Sequence, residues 1–355
     1  MHEPLVSVVI VNYNYDRFLR QSIESALGQA YKHVEVIVVD DGSTDGSVEI
    51  IRSYGGRIRS VLKANGGHGS CVNTGFAASR GELVMFLDAD DWYLPSATQE
   101  VVDAARSGAV LIQFRLNIVD AQGRFIAEYP WKRVRLDFGD VTSIMTSRGT
   151  FTCMVSTANA FRREVLERLL PLDEKEYVRA PDGYLVHTVP FYGPVAAIEK
   201  PLGCYRMHGG NDSTTYQYQS GVDVGKLRDL LAMSTRELQL VRTNALARGI
   251  PVSDRLPMRH MRHLQFRLVS CKLAPDSHPF PGDSVRSLGF SGALAALRNK
   301  GIPSNRRVLM AGWFVAVGLL PRRAARRLIA LLMLPGLRQR MRRAMFGNRR
   351  PSAAG

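Results

Sequence analysis

Acidic residues are missing from the end of this chain. After Asp283 there is none, while residues 284–355 carry 15 Lys or Arg. The other 32 basic residues balance all 32 acidic ones in residues 1–283, so the net charge of +15 belongs to the tail alone. A basic face spread over a folded domain would point to nucleic acid. Here the front of the chain lacks basic motifs interleaved with aromatics, and no nucleic-acid partner is expected. Cysteine is also scarce. Cys71, Cys153, Cys204 and Cys271 lie far apart with no CxxC pair, which argues against a disulfide frame or zinc site and for buried thiols in a reducing compartment. Long apolar runs are absent too. VLMAGWFVAVGLLP, residues 308–321, spans about 21 Å as a helix, short of the roughly 30 Å hydrocarbon core. LIALLMLPGL is shorter still, and neither is expected to cross a membrane. The opening MHEPLVSVVIVNYN has no basic n-region and enters a strand within a few residues, so it is not expected to be a signal peptide.

What is present is a globular composition, 45% hydrophobic and 22% charged, in 355 residues, enough for one large domain with additions or for two. Residues 1–110 alternate strand and helix. LVSVVIVNY, VEVIVVDDGS, RIRSVLK and ELVMFL read as buried strands, and DRFLRQSIESALGQ, STDGSVEIIRSY and GSCVNTGFAASRG as helices. This order predicts an α/β fold, a mostly parallel sheet with helices on both faces, with ligands beyond the carboxyl ends of the strands.

Those ends carry the unusual residues: Asn12-Tyr13-Asn14, Asp40-Asp41-Gly42-Ser43, Lys63 before ANGGHG, and Asp88-Ala89-Asp90-Asp91. Ser43, Thr44 and Asp45 read equally well as turn and helix-cap residues. Three carboxylates within four residues, Asp88, Asp90 and Asp91, repel one another unless a cation sits among them.

Together VSVVIVNYN, VEVIVVDDGSTDGS, NGGHGSCVNTGFAASRGE and FLDADD resemble the nucleotide-binding half of a family 2 glycosyltransferase with the GT-A fold. The resemblance covers residues 5–95. It implies that Asp88-Ala89-Asp90 is the DxD motif and that the cation is Mg²⁺ or Mn²⁺, held with the diphosphate of a nucleotide-sugar donor. Asp90 is then a metal ligand, and Asp88 reaches the metal through water or the ribose. By the same resemblance the base and ribose lie against Asn12, Tyr13, Asp41, Asn65 and Asn73, with Asp40 there or orienting the loop. Asn73 as a structural residue of its helix stays open.

The middle of the chain is less patterned. GAVLIQFRLNIVD reads as a strand, QGRFIAEY as its partner across a turn, and TANAFRREVLERLL as a short strand and helix; residues 130–157 give no clear pattern. GCYRMHGGNDS resembles the family's closing strand, and the resemblance makes His208 the third protein ligand of the metal, beside Asp90. His187, His260 and His263 have no such support, and the last two read as exposed surface. Where the family shows Glu-Asp before a helix, this chain has Pro181-Asp182. The resemblance makes Asp182 the catalytic base, with an N-cap as the alternative and Asp173, Glu174 and Glu176 as rivals.

The expected domains are a GT-A catalytic domain over 1–215 (nucleotide half 1–95, acceptor half 96–215), a helical extension over 216–300 and a basic tail over 301–355. The extension packs on the catalytic domain or forms a homo-oligomer; both stay open. Apolar stretches between Arg clusters fit helices lying on an anionic membrane surface, with a core helix pair as the alternative. The expected protein is an inverting glycosyltransferase of hexosyltransferase type. It uses a carbohydrate or lipid-linked acceptor in cell-surface polysaccharide or glycolipid synthesis, and is cytoplasmic and peripheral on the inner face of the cell membrane. A donor-binding scaffold without turnover is the alternative, and nucleic-acid binding through the tail a lesser one.

Overall fold

The computed structural model describes residues 2–131, 134–211, 224–299 and 301–333. It forms two compact units, Met1–His208 with Gln239–Val252, and Gly209–Leu238 with Ser253–Gly355.

The first unit is built on β1 (Val6–Asn12), α1 (Asp16–Leu27), β2 (Val34–Asp40), α2 (Ser47–Ser53), β3 (Arg59–Leu62), α3 (His68–Ala78) and β4 (Leu83–Asp88). The apolar runs at residues 8–10 of β1 and 83–87 of β4 are buried on both faces, as strands covered by helices above and below must be. Phe18, Leu19, Ile23 and Ala26 form the buried stripe of α1. After β4 come β5 (Trp92–Tyr93), α4 (Ala97–Ala105), β6 (Leu111–Asp120), β7 (Phe125–Tyr129), α5 (Thr142–Arg148), β8 (Asn159–Arg162), α6 (Arg163–Leu166), α7 (Pro181–Thr188) and β9 (Val195–Met207).

One sheet joins the nine strands in the order β3-β2-β1-β4-β8-β6-β9-β5, with β7 on β6. The first four are parallel neighbours. β8 runs antiparallel to β4 and β6, and β9 parallel to β6. This is the expected mostly parallel α/β sheet. The hairpin of β6 and β7 forms through Leu116↔Tyr129 to Val119↔Phe125. Segment 130–157 contributes α5 and the buried Leu136, Val141, Met145, Phe151 and Met154.

Register sets the site. Asn12 lies opposite Asp40, Val11 opposite Asp88, and Asp40 opposite Leu62, so the polar ends of three strands stand level. The two-residue β5 pairs Trp92 with Cys204 of β9. Continuing that antiparallel register brings Arg206 to Asp90.

The second unit begins in α8 (Val224–Leu246), whose last turns belong to the first unit, and continues through α9 (Met261–Leu273), α10 (Val285–Arg298), α11 (Ser304–Leu319) and α12 (Arg322–Met333). Leu230, Leu264, Leu268, Phe314, Val317 and Ile329 are among its core residues. His260 and His263 are buried rather than exposed, because His263 Nδ1 finds Ser234 Oγ at 2.9 Å and its ring meets Phe280. All four cysteines are free, with Cys71 and Cys204 buried; burial pushes the Cys204 thiol up to about 11. No described helix is long and apolar enough to cross a membrane. Tail residues 334–355 and segment 212–223 lie outside the described residues.

Candidate active site

The floor of the site is a hydrogen-bonded lock between the ends of β1 and β2. Asn12 Nδ2 donates to Asp40 Oδ2 at 2.7 Å and to Ser43 Oγ at 3.2 Å. Asp40 also accepts from the Ser43 amide (2.9 Å) and hydroxyl (2.7 Å). Both Asn12 and Asp40 are buried, so they shape the loops from beneath. Asp41 accepts from Lys63 Nζ (2.5 Å), Gly66 N (2.9 Å) and Gly67 N (2.8 Å), which folds the glycine-rich loop back over β2. Gly42 between them has φ +75°, and a Cβ there would lie 2.9 Å from Asn65 N. Only glycine takes that backbone at no steric cost. Tyr13 is 47% exposed and Asn65 is exposed; both stand on the rim. Asn73 is spent elsewhere: its amide donates to Leu172 O and Glu174 Oε1 and accepts from Leu172 N, tethering α3 to the segment before α7.

Above this floor the aspartates separate by task. Asp91 points inward, buried, and accepts from Thr157 Oγ1 at 2.7 Å and Arg206 N at 2.8 Å. Burial, then Asp90 and Asp88, hold its carboxyl well above the usual range. Asp90 Oδ2 lies 3.0 Å from His208 Nε2, with the His208 ring set against Tyr15 and Phe18. Asp88 stands 3.6 Å from His68 Nε2. Burial pushes it up to about 6 against the pull of His68, and Asp90 and Asp182 add repulsion.

Asp182 is therefore close enough for its charge to act on Asp88. It sits one residue inside α7, after Pro181, while Ala180 in the left-handed region takes the cap position, and no side chain caps the helix. The N-cap alternative does not hold. The rivals Asp173, Glu174 and Glu176 are exposed. Asp173 serves the amides of Lys175 and Glu176, and Glu174 serves Asn73. His187 is locked between Gly183 O and Thr150 Oγ1.

Among the described residues no three His, Cys, Asp or Glu side chains gather to hold an ion. A cation caged wholly by protein does not fit. A hard divalent ion taking one or two protein ligands and filling its shell with phosphate and water oxygens does, because Asp90 and His208 already meet. His68 Nε2, buried and without a hydrogen bond to the described residues, leaves further polar capacity beside them.

Residues 7–170 match the family described as Glycosyl transferase family 2. An uncharacterized glycosyltransferase of Nostoc sp. is 32% identical over 268 residues, which span 73% of this chain and 83% of that protein. The chain belongs to glycosyl transferase family 2. An uncharacterized glycosyltransferase of Rickettsia typhi is 42% identical over 102 residues, 29% of this chain and 32% of its own length. Among solved structures, S. aureus TarS 1–349 in complex with UDP-GlcNAc aligns at TM-score 0.55 over 92% of this chain and 91% of that one. At 14% identity this likeness speaks for the GT-A fold.

Two residues of this family 2 site escape the sequence reading. Arg206 lies between the rings of Phe18 (4.5 Å) and Trp92 (4.6 Å). It donates to Asp90 O (2.9 Å), Ala121 O (3.1 Å) and Gln21 Oε1 (2.5 Å). Its signal is its place two residues before His208, the spacing that puts side chains on one side of a strand. His68 opens α3 directly after Gly67, with φ +85°. Its signal is a glycine-rich loop running into a helix N-terminus.

Proposed function

We propose that this family 2 enzyme moves a sugar from a nucleotide-sugar donor to a hydroxyl of a carbohydrate or lipid-linked acceptor, inverting the anomeric carbon. What supports this reading is that Asp182 of α7 lies near enough to Asp88 of β4 for its charge to act on that carboxyl. The proposed setting is cell-surface polysaccharide or glycolipid synthesis at the inner face of the membrane.

Asp90 and His208 would hold Mg²⁺ or Mn²⁺ in this reading, and the ion would supply charge neutralisation on the leaving diphosphate. Asp88 would serve either the ion or the ribose. Tyr13 offers an exposed ring to the base, with the exposed Asn65 also at the rim. Asn12, Asp40, Asp41 and Asn73 act through the loops they fix. The acceptor oxygen attacks the anomeric carbon as the bond to the phosphate oxygen breaks; the electron pair leaves with the diphosphate and the proton goes to Asp182. The transition state has oxocarbenium character. TarS was crystallised with UDP-GlcNAc, which makes uridine diphosphate sugars the first donors to try.

Asp182→Asn tests the assignment, because it removes the base while nearly keeping its shape. Transfer should fall roughly 10²–10⁴-fold, in kcat, with donor and Mn²⁺ affinity unchanged. Near-normal turnover removes Asp182 from the chemistry, and lost donor binding makes it structural. Pro181 in the place of the family's Glu favours one second reading, a donor-binding scaffold. Native protein that binds the donor but never consumes it with acceptor extracts would establish that reading.

A further inference from the structure

The tail was expected to lie on a membrane through its apolar runs. In the second unit those runs face two ways. Trp313, Phe314 and Val317 of α11 and Ala325 and Ile329 of α12 are buried in the helical core, and Trp313 Nε1 donates to Leu328 O at 3.1 Å. The apolar side of α12 is already spent on packing.

A different apolar surface remains open. On α10, Phe290, Leu294 and Leu297 are exposed, and on α11 Val308, Leu309 and Leu319 are; the six range from 46% to 69%. The spacing 290, 294, 297 is one helical stripe, and 308, 312, 319 with Gly312 exposed is another. The helices run antiparallel and touch through Gly289 against Gly318 and Gly292 against Phe314. Both contacts lie well round each helix from its open stripe. With opposite chain directions, the two stripes then fall on the same side of the pair.

We infer that this paired face of α10 and α11 is the surface by which the protein lies on an anionic lipid bilayer. The inference deepens the membrane setting proposed above and rests on it. Contiguous exposed apolar surface on a soluble unit marks an interaction site. Its charge names the occupant. Arg286 and Arg298 are exposed on α10, Arg323, Arg326 and Arg327 on α12, and no carboxylate follows Asp283. Helices that carry exposed apolar side chains and arginines, and no acid of their own, match a headgroup layer of negative lipids. A second copy of the chain would set arginines against arginines across a self-complementary contact. Since no described helix is long and apolar enough to span, the pair lies in the interface.

The test is flotation of the full chain with vesicles of phosphatidylcholine alone or with a third phosphatidylglycerol. The native chain should float with the anionic vesicles only. The triple variant Phe290→Ser, Leu294→Gln, Val308→Gln changes exposed positions, so its melting temperature should hold while its vesicle affinity falls by at least about tenfold. Vesicle binding equal to the native chain's would overturn the proposal, as would a native chain that ignores anionic vesicles. Light scattering covers the other occupant: a native dimer made monomeric by the variant, with vesicle binding unmoved, assigns the face to a second copy. Donor binding is read on the same samples. Its loss in the native chain counts against the proposed reaction, not against this surface.

Discussion

Arg206 is fixed by shape as much as by charge. Its guanidinium lies flat between Phe18 and Trp92 and sends three donors in different directions, one to the backbone of Asp90. A lysine keeps the charge but has neither the plane nor the fork. Arg206→Lys should leave the fold intact, yet weaken Mn²⁺-dependent donor binding by roughly 10–100-fold, the usual cost of losing a group that orients a ligand. A Mn²⁺ titration followed by calorimetry reads this directly. An unchanged metal dependence would make Arg206 a packing residue only. Residues of this kind are hard to read in a sequence. Asp88, Asp90 and His208 announce themselves by clustered charge or by a motif. The role of Arg206 arises only when β5 and β9 pair, since Phe18, Trp92 and Gln21 lie more than a hundred positions away from it. Asn73 shows the converse: a polar residue inside a familiar motif is spent on the 172–174 segment, about a hundred positions away, where no local pattern announces the contact.

At the scale of elements, the helices of the second unit depend on small residues. A Cβ on Gly292 would fall 2.0 Å from Phe314 Cδ1, and Phe314 is fully buried. Neither the ring nor the helix carrying it can give way cheaply in a packed core. Gly292→Leu should therefore destabilise the helical unit by about 3 kcal/mol, the upper range for overpacking, seen as a fall in its denaturant midpoint. A midpoint that does not move would mean that α10 and α11 are not this close. The sequence shows that a helix covers most of 308–321, because thirteen uncharged residues ahead of Pro321 allow little else. It does not show which side faces inward. Phe314 and Val317 point to the core and Leu309 and Leu319 away from it, and all four are equally apolar. The first unit is easier to read, since strands buried on both faces need only be continuous. The two-residue β5 is the strand that goes unseen there, too short to leave a pattern.

Across the whole molecule one buried site in each unit opposes the other in its response to pH, the DxD carboxylates in the first and His263 in the second. In the first, burial and like charge raise Asp88 to about 6, and raise Asp91 as well. The folded unit then keeps protons that the unfolded chain has released. The stability this confers is present below about pH 4 and is lost as pH climbs through about 6. In the second unit burial, then Arg267, lowers His263 to about 4. There the unfolded chain takes the proton first, so the contribution is present above about pH 6.5 and is lost as pH falls toward 4. From pH 7 to 5 the His263 shift alone removes about 2 kcal/mol. Hydrogen exchange resolved by peptide and corrected for intrinsic rates separates the units, with chelator present so that no cation meets Asp88. Protection of 261–273 should fall between pH 7 and 5, while protection of 83–93 should rise. Asp91→Asn, which keeps an acceptor for Thr157 and for the Arg206 amide, should flatten the second response and leave the first untouched. If both peptides move together, or if 83–93 loses protection on acidification, the carboxylates of the DxD turn are already paired in the folded chain. The repulsion that makes room for a metal would then be absent.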